Sequence, residues 1–412
     1  MYECEISVNY TTLQRCQSWQ INEALEHDSK SYFSIVCVED REHNESIFIL
    51  QRKIGILGFI VSKTAQGFEW LVQNKPEPGN IFYYQYAPTV QATKCNYEQV
   101  HQGSKTLFLE YFLQGKLCVD VCGSEQGSKF LGKFNRNCKI VVDKSKINFP
   151  SKNYSWLTSK QIKQLLRKSF VLNTDARSVI VCGSWNWLAS DSKLFAEIKN
   201  PVIAQALRNS YQVRDKQRIK NAISFLQSCE KQYEYDTIPL KNMRTFKLTP
   251  FGIQCIEKRQ CKVCYFDIRM EREVSHWQQP LVMDTSIQQS WLIFSIKNSI
   301  SYFFLQVNYE MGFDNGVEFG PSLQTNVSFT AKDIDVVKNT QTLAQIDQSD
   351  EGGRFYQNIM RYTLAYWPHQ QHLCSLKNGL WLTAGEIENM TLMKGYLTNE
   401  LRSLLSLLVS FM

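Results

Sequence analysis

SEQGSKFLGKFNR at 124–136 and SDEGGRFYQNIMR at 349–361 decide the fold, because they are one segment met twice, 225 positions apart. The register continues without a gap through Trp156-Leu157-Thr158 and Trp381-Leu382-Thr383 to Arg177-Ser178 and Arg402-Ser403. Upstream the offset is 233, pairing Gln73 with Gln306, Glu77 with Glu310, Gly79 with Gly312, Pro88 with Pro321 and Gln91 with Gln324. Self-similarity at a fixed spacing marks a duplicated structural unit. The change of offset places an insertion in the first copy, within Asn96–Lys116.

Each copy reads as strands followed by a helix. Ile56–Val61, Phe68–Val72, Trp291–Ile296 and Tyr302–Val307 are short apolar runs bounded by turn residues, and Leu117–Val121 and Cys138–Val142 add further strands. Pro76–Asn80 has turn chemistry. Thr158-x-x-Gln161 and Thr383-x-x-Glu386 are capping boxes at matching positions, so a helix starts there in both copies. Between the copies, Phe195–Tyr233 is rich in helix formers, and Asp215–Gln227 sets Ile219, Ile223 and Leu226 on one face. The expected organisation is α+β: a first module over 1–185, a helical bridge over 186–240 that ends at Ile238-Pro239-Leu240, and a second module over 241–412.

Composition removes several classes. A chain of 412 residues with 21% charged residues and a net charge of +7 is neither disordered nor a coiled coil. The longest apolar runs, Ile54–Val61 and Leu404–Met412, fall short of the roughly 20 residues that span a bilayer. MYECEISVNY at 1–10 has neither the basic nor the apolar part of a signal peptide, so a cytoplasmic protein is expected. No Lys/Arg block marks a nucleic-acid arm. The 13 cysteines are odd in number and read as reduced thiols; Cys118 and Cys122 would share the core side of a strand. Cys261 and Cys264 have metal-ligand spacing without a second pair, so no metal is expected. G-x-G-x-x-G, Walker A, H-E-x-x-H and G-x-S-x-G motifs are all missing. The residues alone thus give a duplicated α+β protein that binds a small polar or anionic ligand.

IGILGFIV (54–61), LVQNKPEPGN (71–80), APTVQATKCNY (87–97) and His101, followed by GSEQGSKF (123–130) and WLTSKQI (156–162), resemble the NDP-hexose 2,3-dehydratases of deoxysugar biosynthesis. REVSHWQQPL (272–281), GVEFGPSLQ (316–324) and SDEGGRF (349–355) look like that family's second module. The resemblance implies two tandem modules similar to the Nudix-type α/β/α sandwich, a homodimer, and a nucleoside-diphosphate 4-keto-6-deoxyhexose substrate, dTDP-linked. It also implies a 3-ketoreductase as functional partner and no cofactor. The C4 ketone acidifies the C3 proton; a base removes it, the C2 hydroxyl leaves with help from an acid, and a 3,4-diketo-2,6-dideoxy sugar results.

Such a site needs a base, an acid, an enolate stabiliser and a grip on the diphosphate. His101 and Tyr97 lie in the insertion, which the second copy lacks, and with Glu125 they are the catalytic candidates. Arg136 and Lys129 are the candidates for the diphosphate, with Arg361 and Arg354 as their second-copy counterparts. Glu77, Asn80, Thr89, Gln91 and Ser124, and in the second copy Glu310 and Gln324, are expected as further polar contacts. Two other readings fit the same resemblance: a non-catalytic nucleotide-sugar binding protein, and a divergent Nudix-type diphosphatase. The second would need the acidic Nudix box, G-x5-E-x7-R-E-x2-E-E, which the chain lacks.

Overall fold

The computed structural model describes residues 6–94, 105–148, 152–189, 194–256, 261–272, 274–284, 286–325, 329–368 and 376–412. Among them, the twelve strands from Ser7–Thr11 to Tyr154–Thr158 are matched in order by the twelve from Tyr235–Ile238 to Gly379–Leu382. Each copy builds a seven-stranded and a five-stranded sheet. At the centre of the first large sheet, Gly55–Thr64 runs parallel to Phe134–Val141 and antiparallel to Gly67–Pro76. In the second, Gln288–Lys297 stands in the same relation to Ile359–Tyr366 and Ile300–Tyr309. The apolar runs read from the sequence fall inside these strands. Gly55 to Val61 is buried on both faces, as a near-continuous apolar run at the centre of a sheet should be.

Both capping boxes form: Thr158 caps helix Ser159–Leu166 and Thr383 caps Ala384–Met390. The last helices of the copies, Thr174–Val181 and Asn399–Val409, pack on each other. Every residue of Asn399–Val409 is buried, so this helix is solvated on no face. One apolar core runs from Phe59 and Trp70 of the first sheet, across Val179, Leu404 and Leu408, to Phe294 and Leu305 of the second. Helices Pro201–Gln212 and Lys216–Ser228, capped by Asn200 and Asp215, lie against the second copy's strand and helix elements.

Two details differ from the sequence reading. Tyr235–Ile238, inside the expected bridge, is a strand paired with Ser34–Asp40 of the first small sheet. Its counterpart Ser7–Thr11 pairs with Cys261–Arg269 of the second small sheet, so the copies exchange their first strands. Tyr-Asp-Thr-Ile is short and at most half-buried, and an edge strand of that kind carries little apolar alternation to read. Cys118 is exposed, one residue before strand Val119–Ser124, and Cys122 is half-buried. That strand is the edge of its sheet, so its faces are incompletely covered.

The loops of the two copies interlock. Gly79 N–H donates to Gly352 carbonyl at 2.8 Å, and Gly312 N–H donates to Gly127 carbonyl at 2.8 Å. Gln357 N–H donates to Gly79 carbonyl at 2.7 Å, and Gly132 N–H donates to Gly312 carbonyl at 3.0 Å. These pairs are equivalent under the duplication. The turn before each small hairpin of one copy is thus seated on the Gly-rich loop of the other.

Candidate functional site

The interlock brings the ends of several elements into one buried volume. Strand Gly67–Pro76 delivers Lys75, and the turn after it delivers Glu77. Asn173, the cap of helix Thr174–Val181, and Asp175 in its first turn arrive from a second side. The loop at 124–133 brings Glu125 and Lys133, and the second copy's loop brings Glu351 and Arg354. Glu77, Glu125, Asp175, Lys75 and Lys133 are each no more than 5% exposed.

Hydrogen bonds fix most of these groups. Gln91 Nε2 donates to Glu77 Oε1 at 2.9 Å, and Asn173 Nδ2 donates to Gln91 Oε1 at 2.8 Å. Lys75 Nζ donates to Gln91 carbonyl at 3.1 Å and lies 3.8 Å from Glu77 Oε1. Glu125 accepts at both oxygens, from Asn135 Nδ2 at 2.8 Å and from Asn399 Nδ2 of the other copy at 3.0 Å. Lys133 Nζ donates to Lys53 carbonyl at 2.6 Å. Arg354 reaches Gln51 Oε1 at 3.1 Å and lies over the Phe33 ring at 4.3 Å. Beside this cluster a cleft of about 200 Å3 is lined by Lys75, Gln91, Lys105, Tyr154 and Arg272.

Burial dominates the electrostatics. It raises the Glu125 carboxyl to about 7, with Glu351 adding repulsion. Asp175 is carried well above its usual range by burial and by Glu125, Glu351 and Glu77. Burial lowers the Lys133 ammonium. Buried carboxyls and an ammonium group with displaced titration suit proton transfer near neutral pH.

The second copy assembles a counterpart around Glu310, Glu318, Asp350 and Glu400, each at most 7% exposed. Here Lys129 Nζ and Gln126 Nε2 hold Asp350 at 2.6 and 2.8 Å, and Ser124 Oγ donates to Glu318 Oε2 at 2.6 Å. Three charged positions of the first site are amides in this one: Asn308 replaces Lys75, Asn358 replaces Lys133, and Gln126 replaces Glu351. In the other direction, Glu318 stands where the first copy has Gln85. The first site therefore sets Lys75, Lys133 and Arg354 against its carboxyls, whereas Lys129 alone occupies an equivalent cationic position in the second. Glu310, without a lysine at position 308, is pushed well above its usual range by burial and by Glu400 and Glu318.

A sequence model of the NDP-hexose 2,3-dehydratase family matches residues 2–182 and 219–408, which takes in both copies and every residue of the two clusters. The chain belongs to this family. It is 26% identical over 434 aligned residues to dTDP-4-dehydro-6-deoxy-alpha-D-glucopyranose 2,3-dehydratase of Saccharopolyspora spinosa, spanning 99% of this chain and 89% of that protein. Proteins of the same name from Amycolatopsis orientalis and Streptomyces violaceoruber are 26% and 27% identical, covering 93% and 86% of this chain and 81% and 82% of theirs.

Within this family member the residues expected from sequence divide into groups. Glu77, Gln91 and Glu125 are brought together in the first cluster, with Arg354 at its edge. Asn80 lies beside it, its Nδ2 donating to Tyr83 carbonyl at 2.9 Å. Ser124, Lys129, Glu310 and Gln324 belong to the second cluster, where Gln324 Oε1 accepts from Asn308 Nδ2 at 3.4 Å. Thr89 Oγ1 accepts from Ile60 N–H at 2.9 Å and donates to Leu71 carbonyl, tying strands together. Its counterpart Ser322 does the same between Ile293 and Phe304. Arg136 and Arg361 sit outside both clusters, each forked onto a neighbouring carboxylate, Asp120 at 2.9 and 2.6 Å and Asp347 at 2.8 and 3.0 Å. Tyr97 and His101 lie outside the described residues. Lys75, Lys133, Asp175 and Glu351 escaped the sequence reading. The signal for Lys75, Lys133 and Glu351 was the charge-for-amide mismatch between copies that otherwise align, and that for Asp175 was the acid repeated at Glu400; a search for identities passes over both.

The raised carboxyls make stability depend on pH in a defined direction. Glu125 and Glu318 move from 4.5 to about 7 on folding, chiefly through burial. A carboxyl raised in the folded state binds its proton more tightly there than in the unfolded chain. Its contribution is complete below 4.5 and is lost as pH rises through about 7. Asp175, Glu310, Glu351 and Glu400 are raised too and act in the same direction. Urea unfolding at pH 5.5 and pH 8 should give the lower midpoint at pH 8; a higher midpoint there refutes the assignment.

Proposed function

We propose that this chain is a carbon–oxygen lyase that removes water across C2–C3 of an NDP-4-keto-6-deoxyhexose, giving the 3,4-diketo-2,6-dideoxy sugar nucleotide in deoxysugar biosynthesis. The dTDP-linked sugar is its substrate, as in the names of the three relatives. The observation that carries this reading beyond family membership is the charge pattern of the first cluster. An enolate formed at C4 is an anion in a dry site, and Lys75 and Lys133 are the cations placed to face it. The second cluster has asparagine at both positions, so the chemistry is assigned to the first copy.

His101 and Tyr97 are proposed for proton transfer at C3, with Glu125 supporting the acid–base set. Glu77, Asn80 and Gln91 are assigned to the sugar and ribose side. For the diphosphate we keep Arg136, which would have to exchange Asp120 for the ligand, and add the Lys75–Lys105–Arg272 wall of the cleft. Thr89 is assigned to holding the strands beneath the sugar. Ser124, Lys129, Glu310, Gln324 and Arg361 then serve the second copy's cluster or the junction, and Arg354 serves the first site. The modules are proposed to share the Nudix-type scaffold with 186–240 as connector, and the chain to work in the cytoplasm as a homodimer beside a 3-ketoreductase.

The test supplies dTDP-4-keto-6-deoxyglucose with a 3-ketoreductase and NADPH. A 2-deoxy sugar nucleotide is expected. Without the reductase, the unstable diketo product should release the nucleoside diphosphate. Neither product from dTDP, UDP or CDP forms overturns the assignment. Binding without turnover would make the chain a nucleotide-sugar binding protein, and Mg2+-dependent release of a nucleoside monophosphate would make it a diphosphatase.

A further inference from the structure

We propose that Glu351, contributed by the second copy, is the general acid that protonates the departing C2 hydroxyl in the first copy's site. The proposal rests on the dehydratase reading above and names a catalytic group that the first copy does not itself contain. Its basis is geometric. Glu351 is half-buried, whereas Glu77, Glu125 and Asp175 around it are nearly fully buried, so it is the most accessible of these four carboxyls. Among the described residues no hydrogen bond or ion pair holds its carboxyl, whereas Glu77 and Glu125 are both held by amides.

Free space lies over Gly353. A Cβ placed there would stand 3.5 Å from Glu351 Oε1 and 3.9 Å from Glu77 Oε1, so both carboxyls open onto the volume that glycine leaves vacant. The groups that face Glu351 are Arg354 of its own loop, Lys133 and Glu125 of the 124–133 loop, Lys75 and Glu77 of the strand and turn, and Asp175 of the helix start. Burial raises its pKa, Glu77 adds to the rise, and the three cations oppose it. That balance keeps a proton available to a leaving group.

The duplication supplies an internal comparison. At the equivalent position of the second cluster stands Gln126, whose Nε2 donates to Asp350 at 2.8 Å. Glutamine fills the same space, forms a satisfied bond and carries no transferable proton. The loop therefore accepts either side chain, and the first site has the one that can transfer a proton.

The step balances. Removal of the C3 proton leaves its electron pair in the C3–C4 enolate. As the C4 carbonyl re-forms, that pair becomes the C2–C3 double bond, and the C2–O bond breaks with its electrons on oxygen. Glu351 gives its proton to that oxygen, water departs, and the carboxylate is reprotonated from solvent.

The experiment compares the full-length chain with Glu351→Gln in D2O, following both deuterium entry at C3 of dTDP-4-keto-6-deoxyglucose and formation of the deoxysugar with the reductase present. The variant should form product about 10²–10⁴-fold more slowly. It should still exchange the C3 hydrogen and bind dTDP within about threefold of the parent, because the acid acts after the enolate forms. Product formation within fivefold of the parent overturns the proposal. So does joint loss of exchange and elimination, which marks a general disturbance of the site. If the unmodified chain itself neither exchanges nor eliminates, the dehydratase reading falls and this role falls with it. An active parent with an unaffected variant removes this role alone.

Discussion

Replacing Lys75 by asparagine, the residue that the second copy carries at 308, is expected to lower turnover by about 10²–10³-fold, the usual cost of removing one group that stabilises an oxyanion. Lys75 stands 3.8 Å from Glu77 Oε1 with both side chains under 10% exposed, so the variant also leaves a buried carboxyl short of its cation. Breaking a buried pair from one side costs on the order of 3–5 kcal/mol, less where the orphaned carboxyl takes up a proton. Glu77 would then resemble Glu310, whose pKa is displaced well upward. Two measurements check this: steady-state dehydration coupled to the reductase, and urea unfolding at pH 8. The mirror substitution Asn308→Lys should leave turnover within about threefold and raise stability, since it supplies Glu310 with a partner. Equal activity losses in the two variants would mean that both clusters serve the reaction.

Gly79→Ala should be severely damaging, because among the described glycines its Cβ would make the shortest backbone clash. A Cβ at this position would lie 1.6 Å from Phe355 carbonyl oxygen and 2.9 Å from Gly352 carbonyl oxygen, and both are backbone atoms that no rotamer change removes. The loops would have to separate, breaking the bonds from Gly79 N–H to Gly352 and from Gln357 N–H to Gly79. Overpacking of this kind costs about 3 kcal/mol or more. Glu351 would move away from Glu77, so activity should disappear at temperatures where the variant remains folded. Gly132→Ala is the control, because its Cβ would have nothing within 4 Å and meets only the strain of a φ of +63°. A melting temperature for Gly79→Ala within about 2 °C of that for Gly132→Ala would refute the interlock as a source of stability.

Much of the scaffold was legible because it rests on local chemistry. Thr158 with Gln161 and Thr383 with Glu386 needed only three-residue spacings to announce a helix, and the apolar runs at 56–61 and 291–296 needed only their length. Glu77, Gln91 and Glu125 were legible as polar residues inside repeated motifs. What could not be read was assembly. Nothing near Glu351 in the chain shows that it belongs to a site made by residues 75–91 and 125–133. Arg136 and Arg361 illustrate the converse. Their chemistry suits a phosphate, but Asp347 lies directly across from Arg361 and Asp120 diagonally across from Arg136, which only the register reveals. Exchange of the strands Ser7–Thr11 and Tyr235–Ile238 is likewise a fact of topology, which four- and five-residue patterns do not carry.

The reciprocal seating of Gly79 on Gly352 and of Gly312 on Gly127 has the form of an isologous interface, in which one surface meets its own copy around a two-fold axis. In a true pair of identical chains, any substitution strikes both sites at once, so neither can lose a lysine without the other losing it too. Joining the copies end to end lifts that constraint. Asn308 and Lys75 can then coexist in one molecule, one site keeping the charges while the other gives them up, with the shared frame intact. The second half is thereby freed to specialise as a donor, lending Glu351 and Arg354 to its neighbour. Half of this gene would encode neither a complete site nor a complete small sheet.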